Sequence, residues 1–310
     1  MDYKNLLIAG GSGFLGSHLQ NAIHNDDSVR NWKVTAPRSK KFDFRNLTDA
    51  IEALKNQDIV INLAANVGGI GYNQAYPGKL FYDNITIGVN LLEAARICDV
   101  SKVVQIGTVC SYPKITNTPF KEEDLWLGFP EETNAPYGIA KKALIVMGDS
   151  YSKQYDMNII SLLIVNLYGP GDNFNLEQSH VIPALIRKFV EAKENNSPNV
   201  TLWGSGNASR EFLYVKDAAD GIMKATRFYD KTFPINLGSG KEITIKDLSK
   251  KIAGIVGFDG NIEWDTSRPD GQPRRVLDVS KAKSEFGFEA KTDFENGLSE
   301  TINWFRQNGR

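Results

Sequence analysis

Short apolar runs alternate with segments of helical spacing through the first 170 residues of the chain. NLLIAG at 5–10, DIVINLAA at 58–65 and KVVQIG at 102–107 are continuous apolar runs, which predict strands buried on both faces. Between them, FLGSHLQNAIH at 14–24 and FYDNITIGVNLLEAARICD at 81–99 have helical spacing. Because consecutive parallel strands need crossover connections, this alternation predicts a parallel sheet with helices on both faces.

The pattern becomes mixed after about residue 170. Helical stretches such as SHVIPALIRKFVEAK at 179–193 alternate with short strands such as REFLYV at 210–215, and no repeat or linker separates them. We therefore expect a doubly wound α/β domain over 1–170 and a smaller mixed α/β lobe over 171–310. A later segment, about 210–240, is predicted to return to the first domain.

Composition and charge exclude several function classes. The 310 residues carry a net charge of −1, so no basic field attracts nucleic acid or anionic lipid. No run of about 18 apolar residues is present, and the N-terminal stretch lacks a signal-peptide pattern, so no membrane span is expected. Two cysteines, Cys98 and Cys110, are too few for a disulfide framework. We expect a soluble, cytoplasmic protein without a metal site.

A glycine-rich stretch, AGGSGFLG at 9–16, follows the first predicted strand and opens the first helix. In a dinucleotide-binding loop the first glycine permits a tight turn, the second a close approach to pyrophosphate, and the third helix-to-strand packing. The N–H groups at the helix start then face the phosphates. A plain structural turn is the alternative. The predicted cofactor-binding residues of this loop are Gly10, Gly11, Ser12, Gly13, Phe14, Leu15 and Gly16.

The end of the second predicted strand indicates which dinucleotide is bound. An acid there would bind the ribose 2′-hydroxyl of NAD, but this chain has Arg38, followed by Lys40 and Lys41. Positive charge suits a 2′-phosphate, so we predict NADP(H). A solvated basic loop is the alternative interpretation. Asp43 is predicted to reach the adenine.

Tyr137 and Lys141 stand four residues apart in PYGIAKK and share one face of a predicted helix. A ketone that takes up hydride also needs a proton, which a tyrosine can donate. We expect the Lys141 ammonium to lower the tyrosine pKa, and Thr108, at the end of the fourth strand, to polarise the same carbonyl. A solvated helix face is the alternative.

Together, the glycine loop, the strand-end hydroxyl and the tyrosine–lysine pair resemble the extended short-chain dehydrogenase/reductases that modify nucleotide sugars. Longer stretches, from residue 5 to about 306, are similar to the GDP-L-fucose synthase family within that class. The stretches are LAANVGGIGYNQAYP at 63–77, CSYPK at 110–114, NLYGPGDNFN at 166–175, SHVIPALIRKF at 179–189, LWGSGNASREFLYVKD at 202–217 and RPDGQPRRVLDVSK at 268–281.

This resemblance implies a Rossmann-type, NADP-binding domain at 1–170 and a lobe at 171–310 that mainly binds a GDP-sugar. It also implies a homodimer formed through the two long helices beside the central strands. The implied reaction is 3,5-epimerisation and 4-keto reduction. One alternative is a different substrate, another GDP-keto-sugar such as the precursor of colitose. The other alternative is a different activity, that of a simple 4-ketoreductase or epimerase of the same family.

The family inverts two carbons beside a ketone with a cysteine and a histidine, and the matching residues are Cys110 and His180. Both side chains titrate near neutrality, as proton exchange requires. A small buried thiol and a polar residue at a helix start are the alternatives, and Cys98 is expected in the core.

The resemblance also assigns further cofactor and substrate positions. The sequence departs from the family at two of the positions: Arg275 stands where the family usually has lysine, and Val165 stands where threonine is frequent. For Trp203, a packing position in the core is the alternative to substrate binding. The cofactor-side matches are Ile106, Gly107, Lys141, Asn166 and His180. The substrate-side matches are Arg187, Trp203, Arg210, Asp270 and Arg275, whose arginines are expected to converge on a pyrophosphate.

Overall fold

The computed structural model describes residues 4–268 and 270–309. The start of the predicted first domain, the end of the predicted smaller lobe and Pro269 therefore lie outside the described residues. The strands are β1 (Asn5–Ala9), β2 (Lys33–Thr35), β3 (Ile59–Asn62), β4 (Lys102–Thr108), β5 (Asn158–Ile164), β6 (Asn166–Tyr168), β7 (Asn199–Trp203), β8 (Ser209–Tyr214), β9 (Ile235–Leu237), β10 (Glu242–Thr244) and β11 (Asn261–Asp265). The helices are α1 (Phe14–His24), α2 (Leu47–Leu54), α3 (Ile70–Ala75), α4 (Pro77–Ile97), α5 (Ala135–Tyr155), α6 (Val181–Glu194), α7 (Val215–Phe228), α8 (Ile245–Val256), α9 (Ser280–Phe286) and α10 (Phe294–Asn308).

Six parallel strands form the main sheet in the order β2-β1-β3-β4-β5-β9. Alternate side chains of its strands enter two different cores. Leu6 and Ile8 of β1 pack with Leu19 of α1 and Ile222 of α7, whereas Leu7 packs with residues of α2, α4 and α5 on the other face. Because both faces are covered, the strands read as continuous apolar runs. The predicted doubly wound α/β class is confirmed.

The apolar run NIISLLIVNLYGP at 158–170 predicts a single strand, but in the structure it serves two sheets. β5 pairs with β4 and β9 in the main sheet, and β6 pairs with β8 in a three-stranded sheet of order β10-β8-β6. The chain later returns through α7 and the three-residue β9 to the main sheet. β9 is too short to stand out in a hydropathy pattern, since strands usually run to five or six residues.

The smaller lobe has its own apolar core, formed where α6, α8 and α10 pack against β7 and β8. Gly257 ends α8 in the left-handed conformation (φ 77°), and the Asp293 carboxylate accepts a hydrogen bond from the Asn296 N–H at the start of α10. The sequence predicts a helix end at Gly257 and a cap at Thr292 or Asp293, and the structure has Gly257 and Asp293 at these positions. For α6 the sequence offers Ser179 as an N-cap, which was wrong by one residue, because His180 occupies that position.

A buried carboxylate on β8, that of Glu211, joins the two lobes. It accepts hydrogen bonds from the backbone N–H groups of Leu277 (2.7 Å) and Gly240 (2.6 Å), and the Glu211 N–H donates to the Arg275 carbonyl (3.1 Å). Burial raises the pKa of Glu211 to about 7, although these hydrogen bonds favour the ionised form. The segment at 275–277 is thereby fixed against β8.

Replacing Glu211 by alanine should destabilise the fold, because the N–H groups of Leu277 and Gly240 would be buried without acceptors. We expect a loss of about 2–5 kcal/mol in the free energy of unfolding, measured by urea titration. Glu263→Ala, at an exposed position of β11, is the matched control and should change it by less than about 0.5 kcal/mol. Equal effects of the two substitutions would contradict a structural role for Glu211.

Candidate active site

A cleft of about 1200 Å³ lies between the carboxyl edge of the main sheet and the smaller lobe. Its walls come from distant parts of the chain: the glycine loop, the end of β4, the start of α5, one face of α6 and the segment at 270–275. Ligands of open α/β sheets bind at this edge. The fold therefore brings most of the predicted site residues into one cavity.

The glycine loop forms one end of the cleft and is shaped for close backbone approach. Gly10 has φ 78°, and a Cβ there would lie 2.8 Å from the Ala64 nitrogen. A Cβ on Gly16 would lie 2.5 Å from the Gly10 carbonyl oxygen, so a larger residue would push α1 off the loop. Gly13 caps α1 without a side-chain hydrogen bond, and the helix start opens into the cleft. These features fit a dinucleotide pyrophosphate.

Not every residue predicted for the cofactor faces the cleft. Gly11 lies behind the loop, where a Cβ would meet the Ala36 side chain at 2.6 Å. Arg38 is exposed at the rim, between the lining residues Pro37 and Ser39. Asp43 lines the cleft. Other predicted cofactor residues that line it are Ser12, Phe14, Leu15, Ile106, Gly107 and Asn166.

The Asp43 carboxylate is held in place by Arg45. The Arg45 guanidinium donates to both of its oxygens, with Nη2 at 2.7 Å from Oδ2 and Nε at 2.9 Å from Oδ1, and it also reaches Asp83. These hydrogen bonds lower the pKa of Asp43. The acid predicted to reach the adenine is thus kept ionised as an acceptor.

The predicted reduction residues meet at the centre of the cleft. Tyr137 and Lys141 stand one turn apart on α5, and the Tyr137 hydroxyl lies close to the Thr108 side chain at the end of β4. Removal from water raises the pKa of Tyr137, and the nearby Cys110 raises it further. Burial lowers the pKa of Lys141 to about 8. The lowering of the tyrosine pKa expected from Lys141 is therefore absent: desolvation sets the direction of the shift, and Lys141 does not contribute to it.

Cys110 lies beside the tyrosine because a short 3-10 turn packs on α5. The Thr108 hydroxyl accepts a hydrogen bond from the Cys110 N–H at 3.2 Å, and the Ser111 hydroxyl donates to the Gly138 carbonyl at 2.9 Å. A Cβ on Gly138 would lie 2.3 Å from the Cys110 carbonyl oxygen. This close packing places the thiol in the cleft with Tyr137.

His180 reaches the same cleft from the start of α6. Burial lowers its pKa, which makes the imidazolium a stronger proton donor. Cys98, by contrast, is half-buried at the end of α4, packed against one core of the main domain, as expected.

The residues predicted for the substrate nucleotide do not converge as expected. Arg210 donates to the backbone carbonyls of Ser209, Gln272 and Asp270, so it holds the wall of the cleft, and burial lowers its pKa to about 10. The Asp270 carboxylate accepts hydrogen bonds from the N–H and hydroxyl of Ser205, both at 2.7 Å. Each side chain still borders the cleft.

Trp203 also borders the cleft, and it is 56% exposed, which excludes the core position considered for it. The Arg268 guanidinium lies 4.9 Å from its ring centroid. A flat, exposed aromatic face at the mouth of the cleft can stack on a ring of a ligand.

Arg187 is not brought into the cleft. Its guanidinium bonds to Glu191 (2.7 Å) and to the Phe174 carbonyl (3.2 Å), and Lys188 borders the cleft instead. Helical geometry explains the correction, because residues 181, 184, 185 and 188 share one face of α6 and residue 187 lies about 100° away. Counting that period from Val181, the first residue of the helix, would have identified Lys188.

A second group of cleft residues had no predicted role. Asn73 is buried, its amide nitrogen donates to Asn134 (3.1 Å), and its amide oxygen has no partner among the described residues. Asp172 also borders the cleft, where burial raises its pKa to about 7. The similarity of the stretch at 63–77 to the family pointed to this part of the cleft, but no chemical pattern in the sequence identified Asn73.

Within residues 4–268 and 270–309, no helix is long and apolar enough to cross a membrane. Over the same residues, no three His, Cys, Asp or Glu side chains are grouped to hold a metal ion.

Comparison with known proteins agrees with this site. Residues 6–238 match the NAD dependent epimerase/dehydratase family. The chain is 39% identical to the GDP-L-fucose synthase of Escherichia coli K12, over 99% of this chain and 98% of the relative. It is 33% identical to the GDP-L-colitose synthase of Yersinia pseudotuberculosis, over 97% of each chain.

A solved structure of similar fold is a GDP-L-fucose synthetase from Naegleria fowleri bound to NADP. Its TM-score is 0.89 at 28% identity, over all of this chain and 96% of that one. The predicted resemblance is confirmed: the chain belongs to the NAD dependent epimerase/dehydratase family, in the group that includes the GDP-L-fucose synthases.

Proposed function

We propose that this protein is an NADPH-dependent epimerase and reductase that converts GDP-4-keto-6-deoxy-D-mannose to GDP-L-fucose. The observation that carries the proposal is that one cleft is lined both by Cys110 with His180 and by the neighbouring pair of Tyr137 with Thr108. A reductase alone needs only the second pair. Identity of 39% to a GDP-L-fucose synthase supports the same substrate.

The epimerisation follows from the acidity of C–H bonds beside a ketone. Removal of the proton at C3 or C5 sends its electron pair into the carbonyl and forms an enolate. Cys110 acts as the base on one ring face, and His180 returns a proton to the other face, which inverts the carbon. Thr108 and Tyr137 are positioned to bind the oxygen at C4 as its negative charge develops.

The reduction uses the same oxygen. NADPH, when bound, supplies a hydride to C4. Tyr137, whose pKa burial raises, stays protonated near neutral pH and donates its proton to the C4 oxygen. Lys141, buried one helical turn away, is placed to bind the cofactor ribose and to compensate negative charge while it remains an ammonium.

Another GDP-keto-sugar, such as the colitose precursor, is the second candidate substrate, supported by the 33% identity to a colitose synthase. Incubation of the enzyme with GDP-linked 4-keto sugars that carry or lack the 3-hydroxyl distinguishes the two.

The homodimer and the cytoplasmic location of the protein stay predictions. Exposed apolar side chains on α4 and α5, such as Tyr82, Val89 and Val146, suit a helix-to-helix interface, which mass measurement in solution tests.

Arg38→Glu should reverse the cofactor preference, because a carboxylate at the rim repels the 2′-phosphate. We expect kcat/KM for NADPH to fall about 10- to 100-fold, with a much smaller change for NADH. Lys33→Glu, an exposed charge reversal at the opposite end of β2, is the control. If the unaltered protein uses both cofactors with equal kcat/KM, NADP(H) is not the specific cofactor.

The pH profile of reduction should follow Lys141. Its pKa is about 8, so the ammonium is present below that pH and is lost above it. With the epimerised ketone as substrate, kcat/KM should fall as the pH rises through about 8. In Lys141→Arg, which stays charged, the decline should be absent even if the maximum rate is lower. A wild-type profile that stays flat to about pH 9 would contradict this assignment.

Epimerisation and reduction should separate by mutation. Tyr137→Phe should abolish NADPH oxidation yet retain deuterium uptake at C3 and C5 in D₂O without cofactor, measured by NMR. Cys110→Ala should lose the uptake, whereas the control Cys98→Ala keeps both activities. Wild-type uptake by Cys110→Ala would reduce the thiol to a packing residue and leave a simple 4-ketoreductase.

A further inference from the structure

The guanidinium of Arg275 lies on the catalytic thiol. Its Nη1 is 3.5 Å from the Cys110 sulfur, a donor–acceptor distance typical of a hydrogen bond to sulfur. The side chain is only 7% exposed, so the contact is shielded from solvent. The resemblance had assigned Arg275 to a nucleotide pyrophosphate, which does not account for this contact.

Several hydrogen bonds hold Arg275 in this position. Its Nε donates to the Gln272 amide oxygen at 3.2 Å, and the Gln272 amide nitrogen donates to the Lys114 carbonyl at 2.9 Å. The Arg275 carbonyl accepts from the Glu211 N–H. The segment at 272–275 is therefore hydrogen-bonded to Lys114 at one end and to Glu211 at the other. Because both ends are held, the guanidinium is preorganised against the sulfur.

Other charges surround the pair. Arg210 and the Tyr137 hydroxyl lie within electrostatic reach of Cys110, and Glu131 lies within reach of Arg275. Burial disfavours the Glu131 carboxylate, but hydrogen bonds from Thr133 and Asn134 and the charge of Arg275 outweigh it and lower its pKa. Glu131 is therefore an ionised carboxylate near Arg275, while Arg275 itself is the group in contact with the sulfur.

We propose that Arg275 is a catalytic residue of the epimerase half-reaction and stabilises the Cys110 thiolate that takes the C3 and C5 protons. This inference rests on the proposed function. The C–H proton moves to sulfur, the C–H electron pair moves into the ketone, and the His180 imidazolium protonates the opposite face. A thiol and a neutral imidazole result, and proton exchange with solvent restores the thiolate and imidazolium. A fixed cation at sulfur favours the reactive state at each turnover.

The first test needs no substrate. Alkylation of Cys110 by iodoacetamide is followed by mass spectrometry across pH, with Cys98 as the internal reference. Arg275→Gln should slow alkylation about tenfold near pH 7 and shift its pH profile upward, because the thiolate loses its cation. Altered access would change the plateau rate but not the position of the profile.

Two further variants identify the charge as the cause. Arg275→Lys should retain most of the wild-type alkylation, since an ammonium also stabilises a thiolate. Arg274→Gln removes a charge from the neighbouring residue, which pairs with Glu242 at the surface, and should match wild type. Loss of the profile shift in Arg275→Gln, or an equal shift in Arg274→Gln, would overturn the proposal.

The second test measures deuterium uptake at C3 and C5 with saturating GDP-keto-sugar and no NADPH. Arg275→Gln should lower the saturated rate about tenfold, while NADPH-dependent reduction of the epimerised ketone changes far less. A change confined to KM would return Arg275 to nucleotide binding. No uptake by the wild-type enzyme would refute the proposed function instead, and the alkylation test of Arg275 would still stand.

Discussion

The sugar end of the cleft depends on a single buried carboxylate. Glu211 accepts hydrogen bonds from backbone N–H groups in two other parts of the chain, the turn after β9 and the segment at 275–277. Buried N–H groups without acceptors are costly, so these segments have little freedom to move. The positions of Arg275 and Gln272 depend on that constraint, because both residues lie on the segment that Glu211 anchors.

Desolvation governs the chemistry at the centre of the cleft. The same burial raises the pKa of Tyr137 and lowers those of Lys141 and His180, so each group is pushed toward its neutral form. A neutral phenol is a proton donor, and an imidazolium whose pKa is lowered gives up its proton readily. The site thus holds its groups close to proton transfer and relies on a few fixed charges, such as Arg275, to stabilise the anions that form.

Geometry lets two reactions share one ketone. The carboxyl ends of parallel strands meet at one edge, so Thr108 from β4, the turn that carries Cys110 and the helix that carries Tyr137 lie together. The smaller lobe adds His180 and the segment at 270–275 from the opposite side. A base, an acid and a proton donor can therefore surround one bound sugar without moving it between sites.

The sequence by itself determined the sheet class, the glycine loop and the pairing of Tyr137 with Lys141, because each is a local pattern with a fixed period or spacing. It could not determine which of the basic side chains enter the cleft and which of them are free to bind a ligand. Arg187 and Lys188 differ only by their angle around α6, and Arg210 is occupied by carbonyls from a segment sixty residues away. Nor could it show the direction of the Tyr137 pKa shift or the contact between Arg275 and Cys110. Those depend on burial and on residues 165 positions apart, which only the tertiary structure brings together.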